Sequence, residues 1–343
     1  MDVNWSPPEQ WTTISTIDAH TGGEPLRILT DGLPSVEGDT MLEKRRYMEN
    51  NLDEFRKAII LEPRGHADMY GAVVTEPVTD DADFGVLFLH NEGYSTMCGH
   101  GVIALAKVAV ETEFVEAETP VTTVAMDTPA GLVTARVQVD ERGNAGTVTF
   151  ENVPSFVVET DCSVEVPELG SVEYDLAFGG AFYAYCDAAD LGVDLDSDSV
   201  GELVDAGRTI KAAVSESRDI EHPFEDDLSF LYGTIIRGEP ENSSADTRNV
   251  CIFADGEVDR CPTGTGVSGR VALQSHRGRL APTEELVVES IVGSEFTGTY
   301  EETESYGGYD AVLPNITGNA YLTGQSQFVL DPADPFQNGF FLR

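Results

Sequence analysis

Residues 98–102 read Cys98-Gly99-His100-Gly101-Val102, and residues 263–267 read Thr263-Gly264-Thr265-Gly266-Val267. Each is a glycine-rich turn feeding a stretch with apolar residues at helical spacing. The two turns lie 165 residues apart (98 to 263), close to half of the 343-residue chain. An approximate duplication predicts two similar domains, each with a turn that opens a buried helix. The competing reading is a chance pair of Gly-rich turns.

Outward from these turns the pattern is mostly short strands separated by turn residues. Strands are predicted at 71–75, 85–89, 121–126, 132–139, 147–150, 172–178, 182–186, 250–253 and 286–292, where β-branched or alternating residues cluster. Helices are predicted at 41–56, 102–110, 199–214 and 267–275. Many strands with few helices give an α+β chain. Pro154 and the polar residues after it interrupt the strand pattern. The boundary is therefore placed near 153–161, dividing the chain into 1–157 and 158–329, with 330–343 available to return to the first domain.

Composition narrows the function. Hydrophobic residues make up 41% and charged residues 24%, the balance of a globular protein. Sixty-one Asp and Glu against twenty Lys and Arg leave a net charge of −41, and only four of the cations are lysines. Such a surface repels phosphate backbones and anionic lipid, which excludes nucleic acid and membrane surfaces as partners. The acids are spread along the chain, as on a halophilic surface kept soluble in high salt. Five cysteines at irregular spacing, without a C-x-x-C pair, suit reduced thiols in a cytoplasm. Residues 1–13 lack the basic and apolar regions of a secretory leader. The apolar stretch 102–110 carries Lys107 and is too short to cross a bilayer.

The two turns carry the chemistry. A thiol just before a helix meets unpaired N–H groups and the positive end of the macrodipole, so the Cys98 pKa is expected to fall below its usual ~8.5. The same amides would cradle a carboxylate, with glycines allowing close approach. A packed, inert Cys98 is the alternative. The second turn offers matching amides at Gly264 and Thr265, and Asp259 upstream could receive an ammonium group, giving a zwitterion two anchor points. Asp259 as a structural cap is the competing reading. His100 lies within the first turn, placed to orient substrate or shuttle a proton. His222, before Pro223 in a loop, reads first as an ordinary surface residue.

Other chemistries find little support. The six histidines show no metal-ligand spacing, so no metal site is expected. Residues 264–269 match G-x-G-x-x-G, but 258–262 are polar and broken by Pro262, so no strand leads into the motif and a dinucleotide site is disfavoured. Neither a Gly-x-Ser-x-Gly elbow nor a phosphate loop is present.

Several motifs in one order resemble the proline racemase family: Ile17-Asp18-Ala19-His20-Thr21-Gly22-Gly23-Glu24-Pro25, Glu62-Pro63-Arg64-Gly65-His66-Ala67-Asp68-Met69-Tyr70-Gly71, Met97-Cys98-Gly99-His100, Asp227-Leu228-Ser229-Phe230-Leu231-Tyr232-Gly233, and the segment from Asp259 to Gly266. The resemblance implies two pseudo-symmetric domains of the diaminopimelate epimerase type, with the active site in the cleft between them and no cofactor. In racemases and 4-hydroxyproline epimerases of this family, two cysteines face opposite sides of the substrate α-carbon. The first corresponds to Cys98, whereas Thr263 stands where the second belongs. A threonine hydroxyl is too weak an acid or base to replace a thiol near neutral pH.

The Cys-to-Thr pattern resembles the trans-3-hydroxy-L-proline dehydratases, in which the remaining cysteine takes the α-proton and the 3-hydroxyl leaves as water. By this resemblance Cys98 is the base, and the amides of Gly99, His100, Gly264 and Thr265 hold the substrate carboxylate. Asp259, helped by His100, holds the ring nitrogen, and His222 is a further substrate contact. The expected partner is a hydroxyproline, and a homodimer is left open. Thr263, His100 and a bound water all remain candidates for protonating the leaving hydroxyl. A 4-hydroxyproline 2-epimerase, a proline racemase and a non-catalytic imino-acid binding protein stand as alternatives. Cys261, displaced by two residues from the missing cysteine and tethered by Pro262, is expected to be a packed thiol.

Overall fold

The computed structural model describes residues 5–342. Residues 1–4, part of the stretch read for a leader, and residue 343, the last of the returning segment, lie outside the described residues.

The chain builds the same series of elements twice. The first pass comprises β1 (Thr12–Thr21), β2 (Glu24–Asp31), α1 (Met41–Asn51), α2 (Asp53–Ile60), β3 (Gly71–Thr75), β4 (Phe84–Leu89), β5 (Tyr94–Ser95), α3 (Gly99–Glu111), β6 (Val121–Thr128), β7 (Gly131–Val139), β8 (Ala145–Glu151) and β9 (Ser155–Val166). The second comprises β10 (Gly170–Phe178), β11 (Phe182–Asp187), α4 (Ala188–Leu191), α5 (Val200–Ser217), β12 (Leu231–Gly238), β13 (Thr247–Phe253), β14 (Glu257–Val258), α6 (Gly264–His276), β15 (Leu286–Ser290), β16 (Glu295–Tyr306), β17 (Tyr309–Gly318) and β18 (Ala320–Leu330).

Strand pairing repeats with them. β1 lies antiparallel to β2, β2 parallel to β3, and β3 antiparallel to β4, which runs parallel to β6. The second pass repeats each sense in turn through β10, β11, β12, β13 and β15. β9 pairs with both β10 and β17, so the strands β9–β10–β11–β12–β13–β15–β16–β17 close on themselves as a barrel. β18 crosses back to lie antiparallel to β1. The architecture is a mixed α/β fold with few helices, built on this closed barrel.

Each half wraps its strands around one helix. Residues 99–110 of α3 are all buried, including Lys107, whose ammonium lies 5.2 Å from the centre of the Tyr321 ring. A helix apolar on every side belongs inside a core. The stretch 102–110 is thus an axle of the fold, and among the described residues no helix is long and apolar enough to cross a membrane. In the second half α6 is buried from Gly264 to Leu273.

Two local readings are corrected. The helix expected at 41–56 breaks at Leu52, whose φ of −133° and ψ of 15° leave the helical region. Asp53 then opens α2 and pairs with both Arg56 and Lys57, at 2.6 and 2.7 Å. The polar residues near 153–161, read as an interruption, form most of β9. Its outward positions carry Glu159, Asp161 and Ser163, so acids on the wet face hide the strand pattern.

Candidate active site

The N-termini of α3 and α6 meet. A Cβ placed on Gly99 would lie 2.5 Å from the Gly264 Cα, and one on Gly264 would lie 2.7 Å from the Gly99 Cα. Only glycine permits backbones this close. Both helix tips face a small pocket lined by Cys98, His100, Asp259, Thr263, Tyr70 and Tyr232 among others. The amides of Gly99, His100, Gly264 and Thr265 occupy the first turns, beyond the reach of any intrahelical carbonyl. They and the two macrodipoles form a ready anion site.

Cys98 caps α3, and its sulfur accepts the Gly101 amide at 3.3 Å. His100 Nδ1 lies 3.2 Å from that sulfur. The expectation of a lowered thiol pKa is not met. Burial pushes the Cys98 thiol well up, and the carboxylates of Asp259 and Glu24 add to the rise, while the Gly101 amide and the Tyr70 hydroxyl pull the other way. Desolvation outweighs the dipole, and the charged groups that act most on the sulfur among the described residues are both carboxylates. Burial also lowers the His100 pKa, so the ring rests neutral, while the Asp259 carboxylate opposes the fall.

Thr263 caps α6 from the left-handed region, at φ +68°. Its hydroxyl donates to Asp259 Oδ2 at 2.8 Å, and the Cys261 amide donates to Oδ1 at 2.8 Å. Cys261 is fully buried, with its sulfur accepting the Thr263 amide at 3.3 Å. Donor atoms of His100, Asp259 and Cys261 lie within 4.8 Å of one another, a metal-like grouping that sequence spacing did not anticipate.

His222 is not brought to this pocket. Its ring sits among aromatic side chains, 5.0 Å from the Phe178 ring centre, and Nδ1 accepts the Glu225 amide at 3.1 Å. Burial pushes its pKa down to about 4.

Residues 16–341 match the proline racemase family. The chain belongs to that family. A trans-3-hydroxy-L-proline dehydratase of Colwellia psychrerythraea is 46% identical over 99% of this chain and 96% of its own. A 3-hydroxyproline 2-epimerase of Burkholderia multivorans is also 46% identical, over 96% of this chain and 98% of its own. The crystal structure of a hydroxyproline epimerase from Agrobacterium vitis with bound trans-4-hydroxy-L-proline superposes with a TM-score of 0.92 at 30% identity, covering 98% of this chain and 96% of that one.

Sequence reasoning missed much of the pocket wall. Tyr70 stands just before β3, Tyr232 lies in β12 and Tyr183 in β11, and all three line the pocket. The Tyr183 hydroxyl is 2.7 Å from Thr265 Oγ1. Glu24 was also missed: it is buried at the start of β2 and accepts the Arg260 amide at 2.7 Å, fixing the segment that carries Asp259. Gly22, at φ +58°, lets the β1–β2 turn pack on Cys261, where a Cβ would lie 3.1 Å from the Cys261 Cβ and 2.7 Å from Ser294 Oγ. All but Tyr183 sit inside motifs the sequence displays, but nothing in their spacing shows which of them face inward.

Proposed function

We propose that this protein is a cofactor-independent hydro-lyase that converts trans-3-hydroxy-L-proline to Δ1-pyrroline-2-carboxylate, with Cys98 as the base that takes the α-proton from one side. The observation that carries the reading is an asymmetry between the helix caps. Cys98 presents a sulfur to the pocket, whereas Thr263 commits its hydrogen to Asp259. The dehydratase names of the relatives support it.

In this reading the chain forms two pseudo-symmetric units of the diaminopimelate epimerase type, joined across the pocket, with β18 exchanged back to the first. Substrate enters as a zwitterion. Its carboxylate accepts from the amides of Gly99, His100, Gly264 and Thr265, and its ring ammonium pairs with Asp259. That pairing offsets one of the charges that hold the Cys98 thiol up. The thiol proton passes to neutral His100, 3.2 Å away, leaving a thiolate held by the Gly101 amide. Stereochemistry then favours a one-sided reaction. In the trans isomer the hydroxyl and the α-hydrogen lie on the same ring face, both opposite the carboxylate. One face of the pocket can therefore serve both bonds, and Thr263 need only hold Asp259. The aligned amides stabilise the charge that develops on the carboxylate side.

The test is to incubate the protein with the 3- and 4-hydroxyproline isomers and trap the cyclic ketimine. Product from trans-3-hydroxy-L-proline alone is expected. Inversion at the α-carbon without loss of water would instead make the protein an epimerase.

A further inference from the structure

Elimination needs an acid for the leaving hydroxyl on the face where Cys98 works. Thr263 is poorly placed for that duty, because its hydrogen is already donated to Asp259. A different set of hydroxyls is available. Tyr70 Oη donates to Ser95 Oγ at 2.5 Å, and Ser95 Oγ is 2.6 Å from Tyr232 Oη. Both tyrosines line the pocket, and all three residues are buried. The chain starts beside the base: Tyr70 and Cys98 line the same pocket, and the Tyr70 hydroxyl draws the Cys98 thiol pKa down.

Hydrogen counting makes this chain directional. Three hydroxyls carry three hydrogens but share two internal bonds, so one hydrogen is left over at one end. With the bonds running from Tyr232 to Ser95 to Tyr70, the spare hydrogen points from Tyr70 at Cys98. With the polarity reversed, it points from Tyr232 into the pocket. Reversal of polarity is the net result of taking a proton at one end and releasing one at the other. The approach to β3 and the equivalent strand β12 bring the two tyrosines to the pocket from the two halves of the chain, and Ser95 of β5 bridges them.

We propose that the Tyr70–Ser95–Tyr232 chain is the acid of the reaction, returning to the leaving oxygen the proton that Cys98 removes. The inference rests on the dehydratase reading above. The C2–H bond breaks and its proton goes to the Cys98 thiolate, while the electron pair forms the C2–C3 double bond. The C3–O bond breaks with its pair on oxygen. In the same step the thiol gives its proton to Tyr70, Tyr70 to Ser95, Ser95 to Tyr232, and Tyr232 to the departing oxygen, which leaves as water. Cys98 is again a thiolate, and the enamine tautomerises to the ketimine. No oxidant, metal or second thiol is required. Burial holds both phenols well above their ordinary pKa, so each stays protonated between turnovers.

Tyr232→Phe and Ser95→Ala test the chain, using two substrates. Dehydration of trans-3-hydroxy-L-proline should fall at least ~10²-fold in kcat, the usual weight of a positioned acid. Elimination of HCl from trans-3-chloro-L-proline, whose leaving group needs no proton, should stay within about threefold of the unmodified protein. A structural role would depress both reactions, so equal loss of both overturns the proposal, as does dehydration that is unchanged. On the unmodified protein, the rate against deuterium fraction of the solvent should bow, because several protons move in one step. A straight line overturns the relay even if neither variant folds. If the unmodified protein forms no ketimine at all, the functional reading fails and takes the relay with it.

Discussion

Replacing Cys98 with serine is expected to cut kcat for ketimine formation by about 10³-fold or more, within the range lost when a positioned base is removed. Serine keeps the cap, since its oxygen can still accept the Gly101 amide that the sulfur now accepts at 3.3 Å. What disappears is a group whose conjugate base can form. A hydroxyl beside His100 would have to lose a proton that water itself holds tightly, in a pocket where burial already opposes the anion of the far more acidic thiol. Substrate affinity measured by calorimetry should change by no more than a few-fold, because the amides of Gly99, His100, Gly264 and Thr265 and the Asp259 carboxylate are untouched. A Cys98→Ser protein that turns over within tenfold of the original would remove the base from the account.

Gly99→Ala and Gly264→Ala are expected to be almost equally damaging. The added carbon at residue 99 meets the Gly264 Cα at 2.5 Å, and the reciprocal change meets the Gly99 Cα at 2.7 Å. Both obstacles are backbone, so no side chain can swing aside and the helix tips must part. Overpacking of this kind costs about 1–3 kcal/mol when side chains can adjust, and the upper end is expected here. The same separation moves the carboxylate-binding amides, and a shift of about 1 Å costs on the order of 10²-fold in rate. Thermal melts and kcat of both variants check this together. Full activity at an unchanged melting temperature would mean that the helix tips do not form one site.

How far the sequence carries the structure depends on which face of each element is wet. The helices around 102–110 and 267–275 were legible because they are buried on all sides and opened by glycine turns. Their 165-residue spacing exposed the repeat. β4, with every residue buried, was equally clear. β16 and β18 were not. β16 ends in Tyr300-Glu301-Glu302-Thr303-Glu304-Ser305-Tyr306, and most of β18 is exposed, so their polar residues read as loop. A chain with sixty-one acidic residues must place many of them on strands, and each one blurs the alternation. β1 and β2 escaped notice for a related reason, because Thr16, Thr21, Glu24 and Arg27 are polar residues that the fold buries.

Cys98, Thr263, Asp259 and the turn residues Gly99, His100, Gly264 and Thr265, to which the glycine turns and the family resemblance pointed, all line the pocket. His222 was misplaced because its neighbourhood is set by the rings of Phe156, Phe178 and Tyr306, far apart in sequence. The tyrosine–serine chain was invisible for the same reason, since its members come from β5, β12 and the approach to β3.

The central claim is that acid–base chemistry reaches the α-carbon from one side only, and chiral chromatography of the products from trans-3-hydroxy-L-proline in deuterated water tests it most directly. The account predicts Δ1-pyrroline-2-carboxylate with no cis-3-hydroxy-D-proline. Accumulation of the α-deuterated D-epimer at a rate comparable to dehydration would contradict it, because a proton donor would then have to stand on the Thr263 side.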